Sequence, residues 1–291
     1  MSELNNKYIK LAIQKEGRLT ENTLEFLRRS GLEFESYRQK LFTLCRNFPL
    51  EILYVRDNDI LDYVSAGTVE LGILGQNLLY EQRPKIRKLL NLRFGYCSLI
   101  VAVPKESKVR EIGDLNGKRI ATSYPQSAKI FFDKYGISIK IVPISGSVEI
   151  APILGIADAI VDLTSTGSTL MLNDLRYLAK IYDSEAVLIA NSKTMSEKKS
   201  VLVERLITRF KGVLSAKKYK YIMMKVPLKK LAKIIKLIPS LKYFSNSPGI
   251  KEKEIMLSSV INEDSFWDLV ERLKKLEVAE ISVLPIEKMI I

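Results

Sequence analysis

Ala157-Asp158-Ala159-Ile160-Val161-Asp162-Leu163-Thr164-Ser165-Thr166-Gly167-Ser168-Thr169-Leu170 reads as an apolar strand that ends in an acid and runs into small hydroxyl residues around one glycine. Small side chains let a backbone close on an anion, and successive amides converge on its oxygens. Thr164, Ser165, Thr166 and Ser168 add hydroxyl donors, with Thr169 as a fifth. The carboxyl end of a strand is where open α/β sheets bind ligands. The stretch therefore predicts a phosphate-monoester site in an α/β fold, against the plainer alternative of a Ser/Thr-rich turn. No Gly-Lys-Ser/Thr follows, so it is not a Walker A loop. Asp158 and Asp162 are four apart, on one face of an extended strand. Acids beside a phosphate loop bind ribose hydroxyls directly or through Mg²⁺; Asp158 reads equally well as a surface carboxylate.

Upstream, the design repeats about 110 residues earlier, the length of one lobe. Ile9–Ile13 is a strand, Lys15-Glu16-Gly17-Arg18 a loop, and Thr20 caps a helix that stops at Gly31. Ile52–Val55 is a second strand, broken by the polar run Arg56–Asp59, with a helix from Ile60 to about Gly67 and a third strand Val69–Leu74. The counterpart runs from the strand Lys118–Thr122 through Ser123-Tyr124-Pro125 into a helix over Ala128–Tyr135. A strand Ile139–Val142, a helix Val148–Gly155 and the strand Ala157–Leu163 follow. Paired α/β lobes joined near Gly95–Pro104 would close on a ligand by hinge motion. Expected boundaries are 1–98 for the first lobe, with the chain returning over 184–216, and 99–183 for the second.

Downstream the order changes to βαββαβ, the ferredoxin-like pattern, over 217–291. Its strands are Tyr219–Val226, Leu241–Phe244, Glu254–Ile261 and Ile281–Leu284. Its helices carry Leu228–Ile238 and Phe266–Leu273, and a helix over Ser196–Ala216 links it to the lobes. No catalytic residues stand out there, which suits regulation or assembly.

Composition narrows the chemistry. The 291 residues are 47% hydrophobic and 27% charged, a globular balance. No apolar run approaches a membrane span and the first residues lack a secretory core, so a cytoplasmic protein is expected. Cys45 and Cys97 stand in no metal-ligand spacing, and the absence of histidine excludes His triads, His bases and imidazole zinc sites. The net charge of +13 sits in one block: Lys193 to Lys253 holds 15 Lys and 2 Arg against 3 Glu. Such a block reads as a solvated helical surface or as a nucleic-acid footprint.

Glu149, Gly155, Ala157, Ile160, Asp162, Leu163, Thr166, Gly167, Thr169 and Leu170 resemble, position by position, the signature of the ATP phosphoribosyltransferases. The resemblance extends to Gln14–Leu19, Val55–Ile60, Val69–Gly75, Asn116–Pro125, Tyr221–Met224 and Val283–Met289, nearly the whole chain in its long form. It implies an α/β fold of two lobes like those of type II periplasmic binding proteins, followed by a ferredoxin-like regulatory domain. It implies ATP and 5-phosphoribosyl diphosphate as substrates, Mg²⁺ as cofactor, and N1-(5-phosphoribosyl)-ATP and diphosphate as products in the first step of histidine biosynthesis. It also implies a homo-oligomer, dimer or hexamer, with L-histidine as feedback inhibitor and neither nucleic acid nor membrane as partner.

On that reading the 5′-phosphate sits on Thr164, Ser165, Thr166, Gly167, Ser168 and Thr169, while Asp162 and Asp158 hold ribose hydroxyls. Asp162 is the candidate for Mg²⁺, through the substrate's diphosphate. Glu149 orients the site, Lys15 and Arg18 supply charge to the leaving diphosphate or the ATP phosphates, and Arg18, Arg56 and Tyr124 meet ATP. Phe244-Ser245-Asn246-Ser247-Pro248-Gly249 departs from the family's usual turn near the histidine site, which weakens the expectation of feedback. A two-lobe ligand sensor and a basic nucleic-acid-binding regulator remain alternatives at this stage.

Overall fold

A computed structural model describes residues 7–35, 40–191, 195–244 and 254–290. The departing turn at 245–249 lies outside them. Two compact units make up the chain: residues 1–25 with 33–200, and residues 26–32 with 201–291.

The first unit contains two sheets. One takes β1 (Ile9–Gln14), β2 (Phe42–Leu44), β3 (Leu50–Val55), β4 (Leu71–Gly75), β5 (Arg87–Asn91) and β11 (Ala186–Ala190) in the order β2-β3-β1-β4-β11-β5. The other takes β6 (Cys97–Pro104), β7 (Arg119–Thr122), β8 (Lys140–Pro143), β9 (Ala159–Thr164) and β10 (Leu175–Ser184) in the order β10-β6-β9-β7-β8. In both, three parallel strands are followed by an antiparallel one: β3-β1-β4 then β11, and β8-β7-β9 then β6. The internal repeat read from the sequence is thus a repeat of topology. In the first sheet the antiparallel strand β11 returns after the second lobe, whereas in the second it is β6, the strand that opens that lobe, so Gly95–Pro104 is less a connector than the entry into the second sheet's core strand.

The strands form because their residues are apolar on both faces, as sheets covered on both sides require. Leu11, Ala12, Ile13, Leu71, Ile73 and Leu74 are buried in the first lobe, and Leu99, Val101, Val103, Ile120 and Val161 in the second. The helix α1 (Thr20–Arg29) starts where Thr20 was read as its cap, and Gly31 follows it at φ +74. Two expectations need correction. The polar run at 56–59 is no break: α2 (Asp57–Ser65) begins there, with Arg56 at its N-cap and Asp57 and Asp59 in the first turn. Acids there are favoured by the helix dipole. Residues 148–155 form only a short 3-10 turn, Val148–Ile150, followed by turns. Val148 and Ala151 bury against the second sheet but Ile153 and Leu154 stay exposed, too sparse an apolar face for a helix.

Helices α3 (Gln76–Gln82) and α4 (Pro125–Lys134) lie against each other across the two lobes, while the short α5 (Ser168–Leu172) follows the hydroxyl loop. Then α6 (Glu197–Ala216) carries the chain into the second unit, burying Leu206, Phe210 and Val213. There β12 (Tyr219–Pro227), β13 (Lys242–Phe244), β14 (Glu254–Asn262) and β15 (Ala279–Pro285) form an antiparallel sheet ordered β13-β14-β12-β15. With α7 (Leu231–Leu237) and α8 (Phe266–Lys275), this is the ferredoxin-like order 2-3-1-4. Ile222, Met224, Ile234, Leu257 and Leu273 form its core. Among the described residues no helix is long and apolar enough to cross a membrane.

Candidate active site

The hydroxyl loop begins where β9 ends, at Thr164. Gly167 turns it at φ +78, a left-handed conformation that side chains other than glycine's resist. The Gly167 N–H donates to Thr164 Oγ1 at 3.0 Å, and Thr166 Oγ1 meets Ser168 Oγ at 2.8 Å. Among the described residues the amides of Ser165 and Thr166 find no protein acceptor. Leu163, Thr164, Ser165, Thr166 and Thr169 wall a cavity of about 440 Å³. Gly167 and Ser168 shape the loop without forming part of that wall.

The opposite wall comes from the first lobe. Beyond β1, Gln14 Oε1 accepts the Leu19 N–H at 3.1 Å and the Gln14 carbonyl accepts the Thr20 hydroxyl at 3.2 Å. Gly17 allows this close turn: a Cβ there would stand 2.4 Å from Gln14 Nε2. The folded loop presents Arg18 to the cavity, with Nη2 4.0 Å from Cys97 Sγ of the second lobe. Glu149, Ser123, Tyr124 and Gly146 complete the lining. Arg18, Glu149, Tyr124, Asp162 and the loop are therefore brought together as the pattern predicted. Lys15 and Arg56 are not in the cavity wall. They follow the carboxyl ends of β1 and β3, where the Lys15 N–H donates to the Val55 carbonyl at 2.8 Å, and Arg56 is exposed.

Asp158 is corrected. It stands ahead of β9's first residue, about 13 Å of extended strand from Asp162. Its carboxylate accepts the Arg119 amide at 2.9 Å and Nη2 at 3.1 Å, and these bonds hold its pKa below the ordinary carboxylate range. A group already paired at the other end of the strand cannot reach a ribose held at the loop.

Electrostatics single out Asp162. Burial pushes its pKa up to about 6; the Leu163 N–H at 2.8 Å opposes this, Glu149's charge adds to it and Arg18's opposes it. Tyr124 is also raised, first by burial and then by Asp162's charge. Its hydroxyl accepts from Asn77 Nδ2 of the first lobe at 3.4 Å.

A second cavity, of about 520 Å³, shares Ser123 and Tyr124 with the first and is walled further by Asp57, Asn58 and Pro143. Burial raises Asp57's pKa, with Arg18's charge opposing, and among the described residues its Oδ1 has no hydrogen-bond partner. Ser123, Asp57 and Asn58 were passed over as site residues, although they stand in the quoted runs Ser123-Tyr124-Pro125 and Arg56–Asp59. A lone acid in a polar run carries no sign of burial.

Among the described residues no three acids or cysteines gather as a metal cage. Asp162 and Glu149 nonetheless face one cavity. Mg²⁺ is usually held by one or two carboxylates, waters and substrate phosphates, so this donor set fits a metal that arrives with a diphosphate.

The model of the ATP phosphoribosyltransferase family, HisG, matches residues 56–212, more than half the chain. That of the HisG C-terminal domain matches 216–288. Among solved structures, a chain of the ATP phosphoribosyl transferase (HisG:HisZ) complex from Thermotoga maritima is 29% identical at a TM-score of 0.60, over 69% of this chain and 95% of that one. The substrate binding protein of an amino acid ABC transporter is 14% identical at a TM-score of 0.50, over 72% of this chain and 94% of that one, a likeness of fold alone. With both family models matched over most of its length, the chain belongs to the ATP phosphoribosyltransferases, pentosyltransferases of histidine biosynthesis.

Proposed function

We propose that the chain condenses ATP with 5-phosphoribosyl diphosphate in the cleft between the two lobes, with the residues of the two joined cavities in the following roles. The observation that carries the assignment is Arg18 and the 164–169 loop on opposite walls of one cavity. The 5′-phosphate rests on the amides of Ser165 and Thr166 and the hydroxyls of Thr164, Thr166 and Thr169. Asp162 accepts from a ribose hydroxyl. The purine occupies the second cavity against Tyr124, whose ring borders both spaces.

Adenine N1 already carries a lone pair, so the attack needs no strong base, in keeping with a chain without histidine. The N1–C bond forms at the anomeric carbon as the C–O bond to diphosphate breaks. Diphosphate leaves with the bonding pair, and positive charge passes to the purine. Stabilisation is then electrostatic and positional. Arg18 meets the departing diphosphate, while Lys15 and Arg56 add charge from the ends of β1 and β3. Mg²⁺ supplies charge neutralisation of the diphosphate when bound, with Asp162 as its protein contact and Glu149 as the next acid. Feedback by L-histidine through the ferredoxin-like unit, assembly into dimers or hexamers, a cytoplasmic location and no nucleic-acid partner belong to the same reading.

Incubation with ATP, 5-phosphoribosyl diphosphate and Mg²⁺ should yield the N1 adduct and diphosphate. Arg18→Ala should lower kcat by more than about tenfold, the scale of one lost transition-state contact. An unchanged rate removes Arg18 from the diphosphate.

A further inference from the structure

The first turn of α4 is capped from the other lobe. Helix starts leave amides with no acceptor inside the helix. In α4 the N-cap residue Tyr124 provides no side-chain cap, and Pro125 at the first position has no N–H. The next two amides are satisfied by one carboxylate on the last turn of α3. The Gln126 N–H donates to Glu81 Oε1 at 2.8 Å and the Ser127 N–H to Glu81 Oε2 at 2.8 Å. A carboxylate is the favoured group at a helix start, and each bond is charge-assisted.

The contact does not stand alone. Asn77, Tyr80 and Glu81 share one face of α3, at the spacing of neighbouring turns. Each meets the second lobe: Asn77 donates to the Tyr124 hydroxyl, and the Tyr80 ring lies 4.5 Å from that of Tyr182. The Tyr182 hydroxyl in turn pairs with Ser127 Oγ at 3.0 Å, beside the amide that Glu81 holds. The α3 face thus grips the start of α4, the segment that carries Ser123 and Tyr124 into both cavities.

We infer that Glu81 is a positioning residue that latches the two lobes together and sets Tyr124 between the cavities before substrate arrives. Opening the lobes breaks both bonds at once and leaves two orphan amides. Without the carboxylate, the closed arrangement loses the two charge-assisted bonds between α3 and α4, and substrate binding must shift the population back. Apparent affinity falls by the fraction of molecules in the competent state. This rests on the reading that both substrates bind in the cleft.

The test uses the full chain with Glu81→Ala and Glu81→Gln. Hydrogen exchange at the Gln126 and Ser127 amides, without substrate, reads the latch directly. In Glu81→Ala these amides should exchange at least about tenfold faster, and adding both substrates should restore protection. KM for ATP and for 5-phosphoribosyl diphosphate should rise together, by about tenfold for a closed population of about one tenth, with a smaller change in kcat. Glu81→Gln, whose amide oxygen still accepts one bond, should fall between wild type and Glu81→Ala in both measurements, and it carries the test if Glu81→Ala does not fold. Exchange as slow as wild type, or fast exchange with both KM values unchanged, overturns the proposal. Should wild type show no turnover, the exchange result still reads the latch, so failure of the catalytic assignment is seen separately.

Discussion

Asp162 is placed by burial, and burial sets its ionisation. Its folded pKa of about 6 lies above the ordinary 3.8, so the folded chain holds this proton at pH values where the unfolded chain has released it. Stability from this group is therefore full below about pH 4 and is lost as pH rises towards 6, by about 3 kcal/mol in all. Asp162→Asn has no charge to bury. It should melt higher than wild type at pH 8, and the gap should narrow as the pH falls to 5. In activity the sign reverses, because on the proposed reading the ionised carboxylate is the form that accepts from a ribose hydroxyl. The acid limb of kcat/KM should fall near pH 6 in wild type and vanish in Asp162→Asn; a limb that persists in the variant belongs to another group. Thr166 is proposed to meet the 5′-phosphate. Thr166→Val removes one hydroxyl from the loop and should raise KM for 5-phosphoribosyl diphosphate about fivefold to tenfold, with ATP little affected, the worth of one hydrogen bond to a charged group. Unchanged affinity would place the phosphate elsewhere.

In the first lobe, β1, which leads to Arg18, and β4 are tied to α6 through a buried ion pair. Glu70, just ahead of β4, accepts the Lys10 amide of β1 at 2.8 Å and Lys199 Nζ of α6 at 2.6 Å, with the two charged side chains only 11% and 13% exposed. Removing one partner strands the other charge in a poorly solvated place. Glu70→Ala should cost about 3 kcal/mol or more, visible as a lower denaturation midpoint, and Glu70→Ala with Lys199→Met should recover part of it. Equal midpoints for the three chains would show the pair to be neutral. Such long-range ties are where sequence reading stops. The alternating core strands and helices and the βαββαβ order of elements were legible, because apolar runs and their spacing encode them locally. The edge strand β2 was missed: it has three residues, and Phe42 and Leu44 face outward, against the rule that apolar residues mark the core. The helix α3 was missed because seven residues give too short a period. Asp162 and its loop were legible as small hydroxyls after a buried strand. Asp158 misled because its strand boundary decides everything about it, and the salt bridge to Arg119 spans 39 positions of sequence.

For the whole molecule the question is where the charge acts. The net +13 would suggest a field that draws in polyanions such as ATP. The surplus, however, lies almost wholly in residues 193–253, and the rest of the chain, which builds the cleft, is close to neutral. Part of the block is answered within its own unit, where Lys220 pairs with Glu263 at 3.2 Å and Lys230 with Glu277 at 3.3 Å, and Lys225 meets Glu280. Those three ion pairs are what the solvated-surface reading of the block expects. Exposed charges are screened beyond about 8 Å at physiological salt, and Lys229, Lys233 and Lys236 line neither cavity, so on the proposed reading the anion is captured by Arg18 and backbone amides. Neutralising Lys229, Lys233 and Lys236 to Gln should therefore leave the ionic-strength dependence of kcat/KM for ATP as it is in wild type, whereas Arg18→Gln should flatten it. If the triple lysine variant flattens the dependence instead, substrate is steered by the second unit's field, and the local account of anion capture is wrong.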